Sequence, residues 1–301
     1  MQDPAAARRG PRAWVAGGGS DSVTVIDATT HEIVGAVRVG DEPMLPALSP
    51  DGSLLLVSNR DGLDVSVVDA QRLETIASIG VQDGAAGCAF SPDGTLAFVA
   101  NEHAHTVSVI DLAGRRVVRH VPVGRGPCDM RMMPGGRELI VTCEESHELA
   151  VLDGRTAEPR RTIPTPEGPL AIAVSPSGRL AVVGCFVSND VYVIDTGSWN
   201  VLWRTTLGSC HVGACFLPGG RSVLLTNGDR DYVSILDLDR RAETARIQVT
   251  ASPSCAAVTP DARFVYVANR GADCVSVVDL VTRAVVRTVP VGASPLGLVI
   301  G

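Results

Sequence analysis

Glu102 and His105, then Glu144 and His147, stand at matching places in this sequence, 42 residues apart. A carboxylate beside an imidazole moves protons in either direction near neutral pH, so two such pairs form a candidate general acid–base site. His211, preceded by Cys210, is a third imidazole of interest, and Cys128 is a thiol that enters the same kind of segment. Asp129 and Arg131 lie two residues apart, close enough for an ion pair, and an arginine in a narrow opening would draw an anionic ligand. His103, His105 and His147 could also close on a metal, but they lack the short His-x-x-x-His spacing of a committed zinc site, and no metal is expected. Gly17-Gly18-Gly19 precedes a strand pattern and not a helix, so no phosphate cradle and no organic cofactor are expected either.

What must position these groups is a repeat. Asp27, Asp69, Asp111, Asp153, Asp195, Asp237 and Asp279 each follow the last by 42 residues, as do Pro50, Pro92, Pro134, Pro176, Pro218 and Pro260. Within a unit, four short runs rich in β-branched residues lie between turn signals, and no segment shows capped helical periodicity. In the seventh unit the runs are Cys255 to Val258 (strand A), Phe264 to Asn269 (B), Val275 to Asp279 (C) and Ala284 to Val289 (D). Ser-Pro-Asp-Gly closes A to B, and the strand-ending aspartate closes C to D by accepting from its own turn. Four strands every 42 residues is the size of a propeller blade. The expected fold is all-β: a seven-bladed β-propeller with four antiparallel strands per blade. The first unit supplies only B, C and D, and its missing A strand lies at the other end, Leu296 to Ile300. The last residues should therefore complete the first blade and cover its edge. Residues 1–11 read as a disordered tail, and residues 12–301 as one propeller domain.

The motifs Phe98-Val99-Ala100-Asn101, Tyr266-Val267-Ala268-Asn269, Val107-Ser108-Val109-Ile110-Asp111 and Val289 to Gly297 resemble the YVTN-type, YncE-like β-propeller repeat family, over essentially everything after Arg12. The resemblance implies the fold. For function it implies surface proteins, partner-binding modules or redox-enzyme propellers, with the streptogramin lyases as related propeller enzymes.

Strand direction puts the A–B and C–D turns on one face, the bottom, and the B–C and D–A loops on the other, the top. Bottom turns are near-copies of one another; top loops are not, and departures from a repeat are where a site can reside. The B–C loops contribute Arg60, Glu102, His105, Glu144, His147, Phe186, Arg230 and Arg270. Entering strand A, Cys128 and Asp129 lead to Arg131 where other units have a small residue, and His211 replaces the usual proline. His31 and His120 fall on a bottom turn and an outer strand, where simple solvation is expected.

Two functions fit. One is a small-molecule site in the top funnel, with His105, His147, His211, Glu102 and Glu144 as acid–base groups of a lyase, isomerase or cyclase. Arg131, Asp129, Cys128, Arg60, Phe186, Arg230 and Arg270 would hold its ligand, an anion if Arg131 is unpaired. The alternative is a non-catalytic scaffold binding a protein at its rim, although Phe186 is the only aromatic residue in the B–C loops. Net charge is −7 with no basic run, which argues against nucleic acid. No apolar stretch approaches a membrane span, and residues 1–10 lack a secretory core, so a cytoplasmic protein with eight free thiols is expected.

Overall fold

The computed structural model describes residues 10–301. The chain forms seven four-stranded antiparallel sheets arranged as the blades of a propeller. In every sheet the strands lie in the order A-B-C-D, and the seven A strands pack beside one another around the axis. Blade 4 is typical: A is Pro127–Met132, B Glu138–Cys143, C Glu148–Asp153 and D Pro159–Pro164. The C strand of blade 3, Thr106–Asp111, is buried along its four central residues, because both of its faces meet neighbouring blades. The D strands are the exposed outer edges, as in Arg116–Pro122.

The core lies between blades. Ala89, Phe98 and Val107 of blade 3 pack on Met130, Leu139 and Leu152 of blade 4, and the same layer recurs around the ring. Each fully buried large apolar side chain contributes about 1.5–3 kcal/mol relative to exposure. With few aromatic rings, these layers are built from Val, Ile, Leu and Ala, which suit closely stacked sheets.

The bottom turns follow their sequence signals. Asp27 accepts hydrogen bonds from the amides of Thr29 at 2.8 Å and Thr30 at 2.9 Å, and all seven strand-ending aspartates accept at least one turn amide in this way. In the A–B turn, Ser49 donates to Asp51 at 2.6 Å while the Leu54 amide donates to Ser49 at 2.9 Å, and Gly52 takes φ +68°.

The ring closes within blade 1. Ala13 pairs with Ile300, Trp14 with Val299, Val15 with Leu298 and Ala16 with Gly297. The expected tail lies, for residues 1–9, outside the described residues; Pro11 accepts a hydrogen bond from the Ala28 amide at 2.8 Å. His31 corrects an expectation. It is not simply solvated: its Nδ1 lies 2.5 Å from the Tyr266 hydroxyl and its ring packs edge-on to Phe264, so a bottom turn of blade 1 is tied to blade 7. His120 likewise meets Ser108 Oγ at 3.0 Å.

Candidate functional site: the top funnel

At the top of the axis the inner strands and the B–C and D–A loops enclose a funnel of about 690 Å³. That is the size of sites that hold small organic molecules. Its wall has an apolar part, from residues such as Met44, Leu45, Leu170 and Leu296, and its charged groups sit mainly on blades 2 to 4.

Three of those groups converge. The carboxylates of Glu102 and Glu144 and the sulfur of Cys128 lie within 4.8 Å of one another. Glu102 and Glu144 begin the B–C loops of adjacent blades, and Cys128 begins the strand A that runs between them. Arg60, from the next loop, is bonded to Glu102. The Cys128 thiol faces Glu144 Oε2 at 3.8 Å. Burial, then the charges of Glu102 and Glu144, push the thiol pKa far up, so Cys128 stays protonated at neutral pH and is not a ready nucleophile. Burial first, and then the Glu102 charge, raise the Glu144 carboxyl above its ordinary range. Glu144 has no cationic side chain within ion-pair distance among the described residues, whereas Glu102 has Arg60 and Asp129 has Arg131.

Below this cluster Arg131 reaches into the axis. Its Nη1 donates to Asp129 at 2.5 Å and to the Met130 carbonyl at 2.8 Å, while Asp129 also accepts from the Met130 amide at 2.8 Å. The anion-attracting guanidinium expected from the sequence is therefore already met by a carboxylate on its own strand.

The structure brings together Arg60, Glu102, Cys128, Asp129, Arg131, Glu144, Phe186 and Arg270 as funnel lining. His105, His147 and His211, expected as acid–base groups, are not among the lining residues. His105 ends its loop at φ +57°, with Nδ1 3.0 Å from the Glu102 carbonyl and 3.2 Å from the Gly126 amide. His147 repeats this at φ +57°, 2.9 Å from the Glu144 carbonyl and 3.3 Å from the Gly168 amide. Both rings brace a B–C loop against the following D–A loop. His211 is fully buried, with neither ring nitrogen hydrogen-bonded, and cannot touch a ligand. Arg230 lies outside the lining, 3.6 Å from Asp229, which does line it.

Glu42 is a lining residue that sequence reasoning missed. It holds φ +52° at the repeat position where Gly84, Gly126 and Gly168 hold φ +79°, +66° and +72°. Ser252 and Ser294 hold φ +52° and +51° at the same position, so the available signal was the one charged side chain among glycines and small polar residues. Burial and the neighbouring Asp61 raise its pKa.

A family model described as YNCE-like beta-propeller matches residues 14–134, from blade 1 into blade 4. That is the family the repeat resembles. No curated protein matches the chain. Among solved structures, Kuenenia stuttgartiensis hydrazine synthase is similar at 27% identity and TM-score 0.77, over 86% of this chain and 89% of that one. Dihydro-heme d1 dehydrogenase NirN, in complex with DHE, is similar at 19% identity and TM-score 0.73, over 93% of this chain and 63% of that one. A functionally unknown protein from Desulfotomaculum acetoxidans DSM 771 is similar at 13% identity and TM-score 0.83, over 96% and 98%. The last two likenesses speak for the fold alone. No helix is long and apolar enough to cross a membrane among the described residues.

Proposed function

We propose that the YNCE-like ring holds a small organic molecule in its top funnel through a cationic group, an amine or amidine, with Glu144 as the counter-charge. The observation that carries this reading is the charge imbalance of the funnel. Arg60 and Arg131 are already engaged by Glu102 and Asp129, and Glu144, half-buried beside Glu102, has no cationic side chain within ion-pair distance among the described residues. A ligand ammonium would relieve both the burial and the repulsion. The apolar wall would take the rest of the molecule. The chemistry open to such a site is proton abstraction, with the ionised Glu144 as general base beside the ligand's cation, so a lyase, isomerase or cyclase activity would use this carboxyl and not the histidines. The likeness to a chain of hydrazine synthase supports an enzymatic setting over a scaffold.

Calorimetry with benzylamine, benzyl alcohol and benzoate tests the reading. Benzylamine should bind in preference to the other two, and Glu144→Gln should weaken it by about 1.5–3 kcal/mol, the scale of a charge-assisted bond. Displacement of bound benzylamine by benzoate, or no effect of Glu144→Gln on benzylamine, would sink it. The scaffold reading rests on Phe186 and Val187, adjacent and 41% and 52% exposed on the rim. It wins if Phe186→Ala breaks a protein complex while no small amine binds. We also place the protein in the reducing cytosol, in keeping with its eight unpaired cysteines. Protein denatured with a thiol-alkylating reagent directly from cells should then carry the alkyl group on all eight.

A further inference from the structure

The axis has a second cavity, of about 600 Å³, opening on the bottom face. The prolines of four A–B turns, Pro50, Pro92, Pro134 and Pro176, stand at its mouth, and the lower halves of the A strands form its walls. Those walls are aliphatic and aromatic, with Phe90, Phe216 and Val299 among them. Arg131 is the one charged side chain lining this cavity among the described residues, and it lines the top funnel as well. It stands at the repeat position held elsewhere by Ala47, Ala89, Ala173, Cys215, Ala257 and Val299, so the guanidinium occupies the bore that six smaller side chains leave open.

The guanidinium is only half used. Nη1 makes both of its hydrogen bonds, to Asp129 and to the Met130 carbonyl, and Nε and Nη2 have no protein partner among the described residues. Nε and Nη2 form one edge of the guanidinium fork, the edge that meets a carboxylate with two parallel bonds. An apolar chamber lined by one arginine with two unused donors has the polarity of an amphiphile with an acidic head. A small inorganic anion would leave the walls uncovered, a neutral amphiphile would leave the donors unmet, and an amine would face a like charge.

We propose that the bottom cavity binds a monocarboxylic acid with an apolar tail, the carboxylate on Nε and Nη2 of Arg131 and the tail along the A strands. This site shares Arg131 with the top funnel, but the cation site proposed there is centred on Glu144, and the two are told apart by Glu144→Gln, which should leave the acid probe bound, and Arg131→Gln, which should weaken it. The probe is a dansyl-labelled undecanoic acid, kept below its micelle concentration, with decanoate, decanol and decylamine as competitors. Saturable one-to-one binding is expected, with decanoate displacing the probe about tenfold more effectively than the other two. Arg131→Gln should weaken the probe by about tenfold or more, since it keeps a polar group but loses the charge. Ala257→Phe, which fills the bore from strand A of blade 7, should abolish binding without lowering the melting temperature. Absence of saturable binding to the folded wild type overturns the proposal, as does equal displacement by all three competitors or undiminished binding to folded Arg131→Gln. Should Arg131→Gln not fold, the head-group comparison on the wild type and the Ala257→Phe variant still decide.

Discussion

Strand A opens with proline or alanine in six blades and with His211 in the other. Its ring is enclosed beside the Asn227 amide, near Asp190, Asp229 and Glu243, and burial lowers its pKa to about 4 from an ordinary 6.5. The unfolded chain therefore binds the proton first as the pH drops. The stability associated with a neutral His211 is whole above 6.5 and is lost as the pH falls toward 4, by up to about 3 kcal/mol. Urea unfolding at about pH 7 and pH 5 should show this loss in the wild type, and a smaller one in His211→Pro, which installs the residue that five of the other blades have. An identical pH slope in both proteins would assign it to other groups. His211 was visible in the sequence as a departure, but departure alone does not say whether a ring points to a cavity or into a core. His105 and His147 misled for a related reason. Their spacing placed them on top loops, while their left-handed backbone, which turns each ring back onto its own loop, is not written in residue type. A subtler pattern was legible and informative. Asn59, Asn101, Asn227 and Asn269 donate to Ser66, Ser108, Ser234 and Ser276 at 2.9, 2.8, 3.0 and 3.0 Å. Where Cys143 and Cys185 replace the asparagine, Ala150 and Tyr192 replace the serine. In those two blades both halves are lost together, while in blade 1, where Gly17 stands in place of the asparagine, the hydroxyl is kept as Thr24 and accepts from the Gly292 amide instead.

Blades are made equal by their bottom turns and unequal by their top loops. Asp153 accepts the amides of Arg155 at 2.9 Å and Thr156 at 2.8 Å and also pairs with Arg160, and these bonds hold its carboxyl well below the usual range. A carboxylate whose pKa is depressed in the folded state stabilises at neutral pH, and loses that contribution as acid protonates it. Asp153→Ala should cost about 1–3 kcal/mol in equilibrium unfolding, and less at acid pH, where the wild-type carboxyl is protonated as well. Asp111 accepts one turn amide at 3.2 Å, so Asp111→Ala should cost less than Asp153→Ala. Near-equal losses would show that the turns are held by their backbone alone. Strands and turns were readable because each obeys a local rule of alternation, proline and glycine that recurs seven times. The funnel was not readable to the same depth. Its centre is assembled from Arg60, Glu102, Cys128 and Glu144, which lie on three consecutive units, and only packing of those units fixes which carboxylate finds an arginine and which does not.

Closure is a property of the whole ring. Counting strands placed the missing member of blade 1 at the other end of the chain, and the pairing of Ala13 with Ile300 through Ala16 with Gly297 is its realisation. Removing residues 295–301 would leave the B strand of blade 1, Arg12–Gly17, as an unpaired edge and uncover the core shared with blade 7. The expected loss exceeds about 4 kcal/mol, with aggregation of the opened form, and an unchanged melting temperature for that truncation would show that the seam is dispensable. His31 on Tyr266 gives the seam a second tie that the repeat could not announce, since it joins residues 235 positions apart. The seam also has a mechanical direction. Arg12 and Gly301 face each other at one end of their strand pair, the Arg12 amide donating at 2.8 Å and the Gly301 amide at 3.1 Å. A pull that separates these two residues loads the rungs one after another, as a zipper is opened, and never loads them together in shear. Tension applied to the chain ends should therefore undo blade 1 at low force, while the same ring anchored through two neighbouring outer strands would resist.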